Sequence, residues 1–182
     1  AYTALILVLL TYGMETGFFR FMNKEGNNSK TVYSTTLISL LTTSLLFILL
    51  CWIFVDPISS FLGFSNHSDY ILIMAIVVGI DAFLTIPFAY LRYKKMPIRF
   101  MTLRLINIFV TIGLNIFFLI LCPVIYTSSP GLINWFYDPN YGVGYVFVAN
   151  LIGTLLTLCL LLPYFAGFKY QFDKSLLRQM LK

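Results

Sequence analysis

Charge is what this 182-residue chain lacks: only 10% of its residues are Asp, Glu, Lys or Arg. A soluble domain carries about a quarter, and a core of this size needs a polar shell over it. Nineteen ionised side chains cannot supply one. That shortage excludes a cytosolic enzyme, a secreted disulfide scaffold and a nucleic-acid reader. Cysteine is scarce too. Cys51, Cys122 and Cys159 all lie in apolar runs, without metal-like spacing or the even count of a disulfide framework, and read as small buried hydrophobes. The one histidine, His67, stands alone in a loop. Absent as well are a phosphate-cradling glycine loop, HExxH, GxSxG and any carboxylate pair at a water interface, so no catalytic constellation is visible and no enzyme is expected.

What is present is apolar: 59% hydrophobic and 18% aromatic residues, with a mean hydropathy of +0.88. Runs of 18 or more apolar residues read as membrane helices, since about 20 residues rising ~1.5 Å each cross a ~30 Å hydrocarbon core. Five runs qualify, at about 1–22, 32–55, 70–91, 105–126 and 143–168. They are too long and unbroken for barrel strands, which alternate over ~10 residues. The expected fold is an all-α integral membrane protein, a polytopic bundle of about five transmembrane helices. Residues 169–182 follow as a linker, with Phe168, Phe172, Leu176 and Met180 at steps of four between cations. That pattern suits an amphipathic helix on the inner leaflet or a connector to further helices.

Lys and Arg favour the cytoplasmic side in short loops. Arg20, Lys24 and Lys30 follow the first run. Arg92, Lys94, Lys95, Arg99 and Arg104 surround the gap between the third and fourth, and Lys169, Lys174, Arg178 and Lys182 follow the last. All 12 basic residues fall in those groups. The alternate loops, 56–69 and 127–142, offer Asp56, Asp69, Asp138 and His67 instead. The basic loops are therefore expected in the cytoplasm. Residue 1 then lies outside it, and a cytoplasmic natural N-terminus would require at least one preceding helix. Trp135, Phe136, Tyr137 and Tyr141 suit an interfacial aromatic belt. Turns are expected at Asp56-Pro57, Ser129-Pro130-Gly131 and Asp138-Pro139-Asn140. Asn66-His67-Ser68 and Asn27-Asn28-Ser29 match the weak glycosylation pattern.

Intramembrane ionisable groups cost from ~2.5 kcal/mol upward, so they face protein or water. Asp81 sits near the middle of its run, with Thr85, Phe88 and Arg92 on the same face and Pro87 as a kink point. It is a candidate proton or cation site; the alternative is an acid that only ties two helices together. Glu15 lies inside the first run, on the face of Tyr12 and Phe19, and its partner is expected on another helix rather than at Arg20. Arg104, Asn107, Thr111 and Asn115 stand at i, i+3, i+7 and i+11, one helical face. Asn150, Thr154 and Thr157 repeat the pattern, as do Thr36, Ser39 and Thr43. Such stripes either bond helices to each other or line a shared hydrophilic cavity with an Arg at its mouth.

The stretch Tyr12-Gly13-Met14-Glu15-Thr16-Gly17-Phe18-Phe19-Arg20-Phe21, a basic polar loop and Val32-Tyr33-Ser34-Thr35-Thr36 resemble bacterial polysaccharide biosynthesis proteins. So does Ile86-Pro87-Phe88-Ala89-Tyr90-Leu91-Arg92 with the basic loop after it. These are O-antigen-type flippases of the multidrug/oligosaccharidyl-lipid/polysaccharide exporter superfamily, with twelve to fourteen helices in two lobes. The resemblance implies that this chain is part of the N-terminal lobe, in the bacterial inner membrane, and that a C-terminal lobe completes it. It implies translocation of an undecaprenyl-pyrophosphate-linked oligosaccharide by alternating access, with membrane lipids as surroundings and no cofactor beyond a coupling proton or sodium ion. Arg20 and Arg104 are then candidates for the pyrophosphate. Asn107, Asn115 and Asn150 would meet sugar hydroxyls, and Glu15 and Asp81 a coupling ion. Two alternatives stay open: a cation-coupled drug or small-molecule exporter of the same superfamily, and a non-transporting membrane scaffold.

Overall fold

A computed structural model of the chain describes residues 2–24, 28–61, 68–128, 137–165 and 171–180. Helices carry the described residues, and no strand occurs among them. Five helical stretches are long and apolar enough to cross a membrane: Thr3–Met22, Ser29–Ile53, Ser68–Tyr93, Pro97–Thr127 and Gly144–Tyr164. The all-α polytopic expectation therefore holds, and this is a multi-pass membrane protein. Glycosylation-pattern residues Asn27 and Asn66, the loop residues His67, 129–131, Trp135 and Phe136, and Phe168, Lys169 and Lys182 lie outside the described residues.

The first span is not one helix. It consists of α1 (Tyr2–Thr11) and α2 (Met14–Met22), separated by Tyr12 at φ +35° and Gly13 at φ +71°. Left-handed backbone ends an α-helix, and glycine enters it without steric cost. The Tyr12 hydroxyl shares a 2.7 Å hydrogen bond with the Ser39 hydroxyl across the break. Helix α3 (Ser29–Ile53) starts on Asn28, whose side chain accepts from the Lys30 amide at 3.0 Å. Phe54 ends it, and α4 (Val55–Phe61) follows at once. Asp56-Pro57, expected as a turn, instead sits in the first turn of α4, where proline's missing N–H has no intrahelical acceptor to lose.

Helix α5 (Ser68–Tyr93) runs unbroken through Pro87, and half of its apolar window is buried. It packs against α1, α2, α3, α4 and α6, and against the helix α8 described below. Ala75, Gly79 and Ala82 allow close approach; a Cβ on Gly79 would stand 2.7 Å from the Ile48 side chain. Helix α6 (Pro97–Ile116) begins eight residues before the apolar run expected from hydropathy, so Arg99 and Arg104 are helical rather than loop residues. Proline at its start is the local reason. A π-helical turn, Phe117–Leu121, follows, then α7 (Cys122–Ser128). Pro123 has no N–H to offer the carbonyl four residues back, and the ladder changes register beside it.

Helix α8 (Gly144–Leu161) packs against α5 and α6 and tightens to a 3-10 turn at Leu162–Tyr164, around Pro163. The last described element is the short helix α9 (Lys174–Met180). It rests on α2 and α3: Leu176 is buried among Met14, Phe18, Phe21 and Met22 of α2 and Val32, Tyr33 and Leu37 of α3. The Ser34 hydroxyl donates to the Gln171 carbonyl at 2.6 Å and accepts from the Gln171 amide at 2.9 Å, while Thr35 accepts from the Asp173 amide at 3.1 Å. The amphipathic pattern read in 169–182 thus faces protein at Leu176.

Candidate functional site

A cavity of about 460 Å³ lies between α1, α5 and α8. Thr3 and Leu7 border it from α1, Met74 and Val78 from α5, and Phe147 from α8. Two strongly polar side chains reach it, Asp81 and Asn150. The Thr154 hydroxyl and the charge of Arg104 both act on the Asp81 carboxylate. Asn150 donates to the Val146 carbonyl of its own helix at 2.8 Å, which fixes the amide at the cavity wall. A carboxylate that borders a mostly apolar chamber, with an amide on the same wall, can take up a proton or a small cation.

Arg104 is not in direct contact with Asp81; the one ion pair among the described residues is elsewhere. Its guanidinium lies 4.6 Å from the centroid of the Phe88 ring. Asp81 and Phe88 are seven residues apart on α5, about 10 Å along the axis. Arg104 therefore acts on Asp81 through its field and is tethered to the same α5 face by a cation–π contact.

Below Arg104 the α6 stripe is a helix–helix seam. Asn107 donates to the Gly153 carbonyl at 3.1 Å and to the Thr157 hydroxyl at 2.8 Å. Gly153 is the point of closest approach, since a Cβ there would collide with the Thr111 hydroxyl. The Asn115 side-chain oxygen is enclosed without a donor among the described residues, two residues before the π-helical segment. Two members of the α3 stripe are spent on their own helix, Thr36 donating to the Val32 carbonyl and Thr43 to those of Ser39 and Leu40, while Ser39 meets the Tyr12 hydroxyl. Ser39, Thr42 and Thr43 border a separate groove of about 330 Å³. The three stripes do not converge on one cavity; only Asn150 and Thr154, through Asp81, belong to the chamber.

Glu15 and Arg20 form a second locality. Glu15 is bound by Arg92 of α5 at 2.7 Å, a partner on another helix as its face implied. The Arg92 guanidinium also stands 5.6 Å from the Phe19 ring centroid and 5.4 Å from that of Phe100. Arg20 is exposed in the last turn of α2, with its guanidinium 5.7 Å from the Phe21 ring.

Residues 1–137 match the family model described as polysaccharide biosynthesis protein, which is three quarters of the chain. The chain belongs to that family, of the flippase type. No curated protein and no solved structure matches. The family is transporter-like and generally non-enzymatic, and its description places this polysaccharide biosynthesis protein in polysaccharide synthesis or export.

Sequence reasoning did not single out Arg92, Thr154 or Phe88 as site residues of this family member, although each shares a helical face with a candidate. It also missed a tyrosine cluster at the other end of α5. Tyr137 stacks on Tyr145 and Tyr145 on Phe118, with centroids 5.1 and 4.9 Å apart. Tyr141 donates to Asp69 at 2.6 Å, and Tyr70 donates to the Tyr141 carbonyl at 2.7 Å. Tyr137 and Tyr141 thus turn into protein rather than forming a belt. Burial first, then the Asp69 carboxylate, pushes the Tyr141 phenol well above its ordinary pKa, and burial raises Tyr137 as well. Gly144 makes this possible, because a Cβ there would collide with Tyr141 and Tyr70.

Proposed function

We propose that this chain takes part in moving an undecaprenyl-pyrophosphate-linked oligosaccharide across the bacterial inner membrane by alternating access. The observation that carries this reading is the Asp81 chamber inside a family member of the flippase type. A carboxylate at mid-span is costly, and such groups commonly mark ion or proton pathways. Asp81 is the coupling group in this reading. Glu15, already bound by Arg92, serves to hold α2 on α5.

Arg20 and Arg104 are the cations available to a pyrophosphate, since guanidinium pairs well with phosphate oxygens. Asn150 and Asn115 offer amide groups to sugar hydroxyls, Asn115 with an oxygen that has no donor among the described residues. Asn107 has both described amide bonds committed to α8 and supports Arg104 from beneath. The basic helix ends face the cytoplasm, in keeping with the loop charges.

A second reading has one observation in its favour: a lone carboxylate with apolar walls also suits a cation-coupled exporter of small molecules. Complementation separates the two. In cells without their own flippase, the full-length gene should restore surface polysaccharide, and Arg104→Ala should cut export at least tenfold while the protein still reaches the membrane. Normal export by Arg104→Ala together with Arg20→Ala would sink the anion assignment. Restored drug resistance without polysaccharide would favour the exporter.

A further inference from the structure

The second half of the first span is hinged at one end and fastened along its side. Tyr12 and Gly13 both take left-handed backbone between α1 and α2, and a Cβ on Gly13 would meet nothing within 4 Å. Beyond that break, Met14, Phe18, Phe21 and Met22 pack α2 onto α3 and α5. Its ion pair to α5, Glu15 with Arg92, stays about two fifths exposed. The remaining side of α2 is covered by residues 171–180, a strap that ends in α9.

Ser34 and Thr35 of α3 are fully buried, and their hydroxyls go to the backbone of this strap rather than to their own helix. The next residue shows the alternative. Thr36 donates to the Val32 carbonyl, four residues back, at 2.7 Å. Ser34 and Thr35 can turn to their own helix in the same way when the strap leaves, so release strands no buried hydroxyl. The Gln171 and Asp173 amides that they give up then meet water.

The strap touches the bundle along a narrow strip. Leu176 is buried, and Met180 lies against Gly17 and Thr36. On one flank the groove of about 330 Å³ separates Phe172 and Leu177 from Ser39, Thr42 and Thr43 of α3. Ser39 is also the partner of Tyr12, so that groove runs up to the break. The other face of α9, with Lys174, Ser175, Arg178 and Gln179, borders a hollow of about 480 Å³. Seven residues do not hold a helix alone, since isolated helices under ~12 residues are marginal in water. The α9 helix therefore forms when it docks, with Asp173 capping the Ser175 and Leu176 amides at 2.8 and 3.1 Å.

We infer that the strap 171–180 is a releasable latch: docked, it clamps α2 onto α3; released, it lets α2 turn about Gly13. Release moves the Ser34 and Thr35 hydroxyls from the strap to their own helix, and the turn breaks the exposed Glu15–Arg92 pair. Under the transport reading, on which only the last arm of the test rests, opening the latch is a step of transport.

The test uses the full-length protein in membranes, with the parent and its Cys51, Cys122 and Cys159 as background. Gly17→Cys with Met180→Cys sets two Cβ atoms 3.8 Å apart, within the ~3.5–4.5 Å of a disulfide. An oxidant should join them, and no cross-link would overturn the docked state. A water-soluble thiol reagent on open membrane fragments should label Leu176→Cys slowly while the latch is shut. Ser34→Ala with Thr35→Ala should speed that labelling at least tenfold. Gly13→Ala, whose methyl meets nothing but whose left-handed backbone is strained, should speed it at least threefold. An unchanged rate without the two hydroxyls would overturn the latch, and an unchanged rate in Gly13→Ala would overturn the turn at the break. Cross-linking of positions 17 and 180 should slow in both backgrounds, a measure that does not need Leu176→Cys to fold.

Export supplies the last arm. In vesicles from cells that rely on this protein for polysaccharide export, the cross-linked pair should export at least tenfold less than the same protein after reduction. Equal export in the two states would overturn opening as a step of transport. If the reduced pair and the parent both failed to export, the transport reading would fall, while labelling and cross-linking would still decide the latch.

Discussion

Glu15 and Arg92 meet at 2.7 Å across the gap between α2 and α5, with the guanidinium flanked by Phe19 and Phe100. Both side chains remain about two fifths exposed, 38% and 40%. The pair is therefore a positional tie rather than a large store of stability. An exposed pair contributes about 0.5 kcal/mol, and the aromatic contacts add a comparable amount.

Reversing both charges tests that tie. Glu15→Gln should lower thermal stability in detergent by about 0.5 kcal/mol, and Arg92→Gln by more, because the cation–π contacts go with it. The double reversal Glu15→Arg with Arg92→Glu should recover most of the pair's coupling in a double-mutant cycle. Zero coupling between positions 15 and 92 would remove the tie.

The α6–α8 seam makes a prediction about epistasis. Gly153→Ala puts a methyl group onto the Thr111 hydroxyl and should destabilise the protein by about 1–3 kcal/mol. Thr111→Ala removes the colliding oxygen and leaves a Cβ at an ordinary 3.7 Å. The double variant should therefore unfold at a higher temperature than Gly153→Ala alone. Additive losses would mean that the helices do not meet at this point.

At the opposite end, the Tyr141 phenol is held protonated by burial and by Asp69. Its folded-state pKa lies above the unfolded value of about 10. The stability it contributes is thus complete below pH 10 and is lost as pH rises through the folded value. Thermal melts across pH 8 to 11 should show a fall in stability that Tyr141→Phe diminishes. An identical fall in the variant would place the alkaline sensitivity elsewhere.

Much of the architecture could be read from residues alone, because membrane helices obey a length and hydropathy rule that needs no neighbours. Five apolar runs gave five spans. The boundaries that slipped did so for local chemical reasons. Pro97 opens α6 early and draws Arg104 into the helix, and Gly13, with Tyr12, breaks the first span where hydropathy is continuous. The polar stripes were visible as periodicity, yet periodicity cannot say what a face meets. Asn107 turned out to bond α8, whereas Asn150 on a similar stripe reaches a chamber.

The chain's composition by itself decided that this is a helical bundle in a membrane, since so few charges leave hydrocarbon as the only solvent and backbone groups must then be satisfied within each helix. Which acids border a cavity and which cations stand near them were decided only by tertiary packing. Those properties depend on helix rotation and neighbour choice. Small residues such as Gly79, Gly144 and Gly153 set them by letting particular faces come close.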